Sequence, residues 1–198
     1  MRASTRREFV AGPAGRIECA VDAPAGSARG LALIAHPHPL HGGTLDNKVV
    51  QTLAREFAEL GFVAVRPNFR GVGESEGAWN EGRGEVDDLA AVLARDWPGT
   101  ETVLAGFSFG AAMQARLAAR HRPQGMALVA PAVGNFEAPP VPQGTLVIHG
   151  AEDSTVPLAV VLDWARPQEL PVVVLPGADH FFHRKLHLLR AIVRQHWR

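Results

Sequence analysis

Gly106-Phe107-Ser108-Phe109-Gly110 lies between a short apolar run, Thr102–Ala105, and a helix-length stretch that opens at Ala111-Ala112-Met113-Gln114 and extends to His121. A serine flanked by glycines at a sharp strand-to-helix bend is held in a strained conformation with its hydroxyl exposed. The glycines are needed because the strand and helix backbones approach too closely for side chains. With five serines and 20 glycines in the chain, chance supplies the Gly-x-Ser-x-Gly pattern only about 0.05 times. The competing reading of Ser108 is a plain helix cap.

Working outward, further apolar runs occur at Leu31–Ala35, Phe62–Arg66, Met126–Ala130, Thr145–His149 and Val172–Leu175. Most are continuous in Val, Leu, Ile and Ala, as in parallel strands covered on both faces. Arg7–Val10 and Arg16–Val21 alternate more and are split by Gly12-Pro13-Ala14-Gly15, which predicts an antiparallel hairpin at the sheet edge. Helical spacing runs through Asn47–Leu60, Glu85–Trp97, Ala111–His121, Leu158–Ala165 and Arg184–Trp197. Strand and helix in alternation predict an α/β fold: a mostly parallel eight-stranded sheet with helices on both faces, in one domain over residues 1–198. Residues 132–144, rich in Pro and Gly, leave no room for an ordinary helix between two strands.

The 198 residues carry twenty Lys+Arg against twenty Asp+Glu, 46% hydrophobic and 20% charged. This describes a globular chain without the basic stripe of a nucleic-acid binder. Cys19 is alone, so neither a disulfide framework nor a multi-cysteine zinc site is available. No run approaches the roughly 18 apolar residues of a membrane span. Arg2, Arg6 and Arg7 are followed by Phe9-Val10-Ala11 and then Gly12-Pro13, too short an apolar stretch for a signal peptide, so a cytoplasmic location is expected.

A serine hydroxyl needs a base, and the base needs an orienting carboxylate. After Thr145–His149 comes Gly150-Ala151-Glu152-Asp153-Ser154-Thr155-Val156-Pro157; after Val172–Leu175 comes Pro176-Gly177-Ala178-Asp179-His180-Phe181-Phe182-His183. Both segments follow the carboxyl ends of strands, where open α/β sheets place ligands. Glu152, Asp153 and Asp179 all qualify as the acid, and His180 and His183 as the base.

The chain resembles the α/β-hydrolase fold, specifically small, lidless serine hydrolases related to dienelactone hydrolases. The resemblance covers essentially the whole chain. Its carriers are His36-Pro37-His38-Pro39 with Gly42-Gly43-Thr44 and Asn47-Lys48-Val49-Val50, Pro67-Asn68-Phe69-Arg70-Gly71-Val72-Gly73, the Gly106–Gly110 elbow, and His180-Phe181-Phe182-His183-Arg184-Lys185-Leu186. It departs from dienelactone hydrolases proper in having serine rather than cysteine at the elbow. By position in these motifs, the resemblance implies Ser108 as nucleophile, Asp153 as acid and His180 as base.

Two donors should face the developing oxyanion. One is the N–H of Phe109, the residue after the nucleophile. The other comes from His36-Pro37-His38-Pro39-Leu40, where the prolines have no N–H. His38 is favoured, with Leu40 as the alternative. His36, His38 and His41 share the spacing of a metal motif whose aspartate is replaced by Leu40; hydrogen bonds that hold the loop are the expected role, and neither metal nor cofactor is expected. Gly71-Val72-Gly73-Glu74-Ser75-Glu76-Gly77 lacks the third glycine of a dinucleotide fingerprint, which points to a structural turn near Arg70. Ser75 has no elbow to expose it.

With no lid, the mouth should be open. Leu40, Phe107, Phe109, Trp79, Phe136 and Phe181 are the expected apolar wall, with Phe107 and Phe181 equally readable as core. The expectation is an esterase for small or short-acyl carboxylic esters, working through an acyl-enzyme on a small-molecule substrate. Nucleic acid and membrane are not expected partners, and the oligomeric state is left open. Thioesters and peptides use the same machinery, and a non-catalytic binding protein on the same fold is the remaining alternative.

Overall fold

The computed structural model describes residues 5–197. Arg2 and the two extremes of the expected 1–198 domain lie outside the described residues. Thr5–Gly12 (β1) and Gly15–Asp22 (β2) form the expected hairpin, with Val10 opposite Ile17. The chain continues through Gly30–Ala35 (β3), Lys48–Glu59 (α1), Phe62–Pro67 (β4), Arg83–Leu93 (α2), Glu101–Phe107 (β5) and Phe109–Arg120 (α3). It closes with Gly125–Val129 (β6), Leu146–Gly150 (β7), Leu158–Ala165 (α4), Val172–Leu175 (β8) and Leu186–His196 (α5). The sheet order is β1-β2-β4-β3-β5-β6-β7-β8. Pairing is antiparallel at β1–β2 and β2–β4 and parallel elsewhere.

The continuous apolar strands feed two cores by parity. Leu31, Leu33, Val63, Val65, Leu104 and Leu128 face α2, α3 and α4, where Leu89, Val92, Met113 and Val161 meet them. Ala32, Ile34, Ala64, Ala105, Phe107 and Val129 face α1 and α5, where Leu53, Phe57, Leu189 and Val193 meet them. Alternate residues of a strand point to opposite faces, so a strand covered on both sides must be apolar throughout. β8 is the exception. No strand among the described residues pairs beyond it, and Val173 and Val174 are exposed despite the apolar run.

Helix boundaries follow their caps. α2 begins ahead of its expected start because the Glu85 carboxylate accepts from the backbone N–H groups of Asn80 and Gly82, both at 2.8 Å. It ends before its expected limit, where Trp97 Nε1 donates to the Val92 carbonyl at 2.8 Å. Residues 132–144 form neither helix nor strand. They are pinned to the α4 side by Trp164 Nε1 on the Ala138 carbonyl (3.0 Å) and by the Val141 N–H on Gln168 Oε1 (2.9 Å). No helix among the described residues is long and apolar enough to cross a membrane.

Candidate active site

β5 hands directly into α3 through Ser108, whose φ of 55° and ψ of −117° lie where a side chain is strained. A Cβ added at Gly106 would lie 2.6 Å from the Ala111 nitrogen, and one at Gly110 would lie 2.3 Å from the Ala35 carbonyl oxygen. The first glycine therefore lets α3 close on its own strand, and the second lets it close on β3. The bend is held by the Ser108 N–H on the Val129 carbonyl (2.9 Å), while the Ser108 carbonyl accepts from Ala111 and Ala132. These bonds offset strain that is typically of order 1–3 kcal/mol.

Two neighbouring loops converge on the serine because they are tied together. The Ala151 N–H donates to the Leu175 carbonyl and the Glu152 N–H to the Ala178 carbonyl, each at 3.0 Å. Gly150 makes the approach possible, since a Cβ there would lie 2.4 Å from the Ala178 carbonyl oxygen. The β7–α4 loop thereby delivers Asp153, and the β8–α5 loop delivers His180. His180 Nδ1 donates to Asp153 Oδ2 at 2.7 Å, and His180 Nε2 lies 3.1 Å from Ser108 Oγ. A carboxylate only accepts, so Nδ1 carries the proton and Nε2 presents its lone pair to the serine hydroxyl. Such a chain can take a proton from the hydroxyl as it attacks.

Asp153 Oδ1 accepts from the N–H groups of Thr155 (2.9 Å) and Val156 (2.8 Å). Burial alone would raise its carboxyl pKa; the bonds from His180 and Val156 and the imidazoles of His180 and His149 outweigh it and hold it below the usual carboxylate value. Of the rival acids, Glu152 is exposed and Asp179 pairs with His183, both on the surface. His183, the rival base, is thus engaged outside the Ser108 chain.

Phe109 is the first residue of α3, and N–H groups in a helix's first turn have no acceptor within the helix. The Leu40 N–H is taken by His38 Nδ1 at 3.2 Å within a 3-10 turn, Pro39–His41, that the sequence reading did not anticipate. His38 lies over Phe109, Trp79 and Phe136 at ring-centroid distances of 5.2, 4.6 and 5.5 Å, and stacks on His41 at 4.4 Å. On the other flank, the exposed Phe181 ring meets His180 edge-on at 5.1 Å, with Lys48 Nζ 6.0 Å away from it. Leu40 is 66% exposed. The expected wall thus falls into two groups, Trp79 and Phe136 around His38 and Phe181 against His180. Phe107 and Phe109 are corrections to the wall. Phe107 takes its core alternative, fully buried on the α1/α5 face and packed against the His180 ring at 4.9 Å, and the Phe109 ring is fully buried on the opposite face, so neither side chain offers substrate a surface.

His36 is wholly buried, donating from Nδ1 to the Pro37 carbonyl (2.7 Å) and accepting at Nε2 from the Phe69 N–H (3.0 Å). It ties the β3–α1 loop to the β4–α2 loop. Among the described residues no three His, Cys, Asp or Glu side chains group as a metal site. Ser75 is buried, bridging the Asn68 carbonyl and the Glu18 N–H, and Arg70 is clamped to Asp88 at 2.7 and 2.8 Å. Sequence reasoning passed over two neighbours of the site. Lys48 carried no signal beyond its place in a motif, whereas His149 is a polar residue inside an apolar strand run.

A strained serine between strand and helix, facing an imidazole and a carboxylate at the carboxyl ends of a mostly parallel sheet, defines an α/β hydrolase of the serine type. The chain belongs to the family described as serine aminopeptidase, S33, whose model matches residues 38–157. It shares 38% identity, at a TM-score of 0.91, with a Xanthomonas campestris α/β serine hydrolase without a lid, over 99% of this chain and 94% of that one. It shares 40% identity, at a TM-score of 0.87, with an α/β serine hydrolase homologue from Coxiella burnetii, over 96% of each chain. An uncharacterized protein of Rickettsia prowazekii is 34% identical over 197 residues, 88% of this chain and 81% of that one.

Proposed function

We propose that the protein hydrolyses small, short-acyl carboxylic esters through a covalent acyl-enzyme on Ser108. The observation that carries this reading is the continuous chain from Asp153 Oδ2 through His180 to Ser108 Oγ, at 2.7 and 3.1 Å. Ser108 Oγ bonds to the ester carbonyl carbon while its proton passes to His180 Nε2. The carbonyl oxygen takes up the negative charge. On collapse the C–O bond to the alcohol breaks, and the alcohol leaves with the proton from His180. Water then attacks the acyl carbon, gives a proton to His180, and the Ser108 ester bond breaks as that proton returns to Oγ. Asp153 stays ionised and holds the tautomer.

The oxyanion is assigned to the N–H groups of Phe109 and His38. Pro37 and Pro39 have no N–H and that of Leu40 is occupied, which favours His38 over Leu40 in its loop. Removal of one such donor typically costs about 3 kcal/mol of transition-state stabilisation. Short acyl groups suit a site whose aromatic side is already filled by Trp79, Phe109 and Phe136 packing around His38, and whose mouth has no lid to bury a long chain.

Treatment with a fluorophosphonate, followed by intact mass, tests the reading. Wild type gains one adduct, Ser108→Ala gains none, and a chelator leaves both unchanged. Ester hydrolysis by Ser108→Ala falls by at least about 10⁴-fold. Equal labelling of the two proteins removes the serine mechanism. Across p-nitrophenyl esters, kcat/KM is highest for the shortest acyl chains and falls as the chain lengthens, and a long-chain optimum contradicts the reading.

A further inference from the structure

His149 is fully buried in β7, four residues before Asp153, on the strand that delivers the acid. Its Nε2 lies 2.9 Å from the Val156 carbonyl. A carbonyl only accepts, so Nε2 carries the hydrogen and Nδ1 is the bare nitrogen. Nδ1 is buried and has no partner among the described residues. An apolar side chain of similar size would avoid that desolvation cost, so packing alone does not account for an imidazole here.

The same Nε2 is 3.5 Å from Asp153 Oδ2, the oxygen that receives His180 Nδ1 at 2.7 Å. Val156 closes the arrangement: its N–H donates to Asp153 Oδ1 and its carbonyl accepts from His149. We infer that His149 is a positioning residue for Asp153, its single N–H shared between the Val156 carbonyl and the carboxylate edge that faces His180. The inference deepens the proposed serine mechanism and rests on it. His149 fixes the rotamer of the acid, and as a neutral donor it draws charge away from Oδ2. The groups that act on it are Asp153, His180 and the Val156 carbonyl. Burial dominates, keeping its pKa below the ordinary imidazole value.

The role predicts a signature that misfolding does not produce. Loss of the donor leaves the Asp153 carboxylate less firmly held and concentrates negative charge on Oδ2, which changes both the rate of Ser108 labelling and its pH profile. The second-order rate of Ser108 labelling by a fluorophosphonate, followed by intact mass against pH, reads this without a known substrate. His149→Leu is expected to lower the plateau rate about tenfold, the worth of about one hydrogen bond to a carboxylate, and to move the acidic limb to higher pH. His149→Gln, whose amide reaches the same place, restores both; His149→Asn, whose amide is too short, does not. The Gln and Asn variants keep the test decisive if the leucine variant fails to fold. Labelling of wild type at Ser108 with identical limbs and plateaus for Gln and Asn overturns the role of His149 alone. Failure of wild type to label overturns the serine mechanism and the inference together.

Discussion

His36 makes acid sensitivity a quantitative consequence of how the oxyanion loop is held. Burial lowers its pKa from 6.5 to about 4, against the opposing pull of the Pro37 carbonyl. A native pKa below the unfolded one means that the folded state favours the neutral ring. The associated stability is therefore intact above pH 6.5 and drains away as pH falls towards about 4. Between pH 7 and pH 5 the unfolded imidazole gains about 0.7 of a proton that the native ring largely refuses, and stability falls by about 2 kcal/mol, rising to about 3 kcal/mol near pH 4. Glutamine supplies an amide oxygen for the Phe69 N–H and does not titrate. Urea unfolding of wild type and His36→Gln at pH 7, 6 and 5 isolates the effect, because the depressed imidazoles of His38 and His149 are common to both. The stability difference between the two proteins should shift by about 2 kcal/mol in favour of the variant across that range. Parallel stability curves refute the reasoning.

Gly110→Ala forces a Cβ to 2.3 and 2.5 Å from the carbonyl oxygens of Ala35 and His36, backbone that cannot swing aside. It should cost about 3 kcal/mol or more, lowering the thermal midpoint by about 10 °C, whereas Gly26→Ala, with nothing within 4 Å, leaves the midpoint in place. Glu56 is fully buried on α1 and receives Arg190 Nε at 2.9 Å and Arg194 Nε at 2.5 Å from α5. Glu56→Gln should destabilise by about 1–2 kcal/mol in urea titrations, with fluorophosphonate labelling of the native protein unaffected.

The elbow was legible because each part of its pattern has a steric cause: glycines at the two backbone contacts and a serine at the positive φ between them. The strands were legible because parallel pairing under two helix layers demands apolar residues on both parities. Phe107 reads from the sequence either as wall or as core, and a strand boundary decides between the two. The sequence reading ended that strand at Ala105, but β5 continues to Phe107, which therefore keeps strand parity and turns inward beneath His180. The choice between Glu152 and Asp153 could not be read locally. It depends on the Glu152 N–H reaching the Ala178 carbonyl, a bond between loops 26 residues apart (178 − 152). The exposure of β8 likewise depends on sheet order: Val172–Leu175 has the composition of an inner strand and the position of an outer one.

Without a lid, the proposed chemistry has no closing step to expel water or to assemble its donors, so geometry must be fixed in the resting protein. The ties that fix it lie next to the reacting groups rather than among them. His36 locks the loop that carries His38 to Phe69, the Val129 carbonyl holds the strained Ser108, and the Ala178 carbonyl joins the loops of Asp153 and His180. His149 adds the fourth tie, from inside the sheet. Each engages a backbone group in or just beyond the carboxyl end of a strand, and His149 reaches the Asp153 carboxylate as well. An open mouth and a rigid rim are therefore linked: the less a site can move to enclose substrate, the more its reactivity depends on bonds that substrate never touches. Perturbing those bonds should accordingly lower the rate of Ser108 labelling in protein that is still folded, before any loss of structure is measurable.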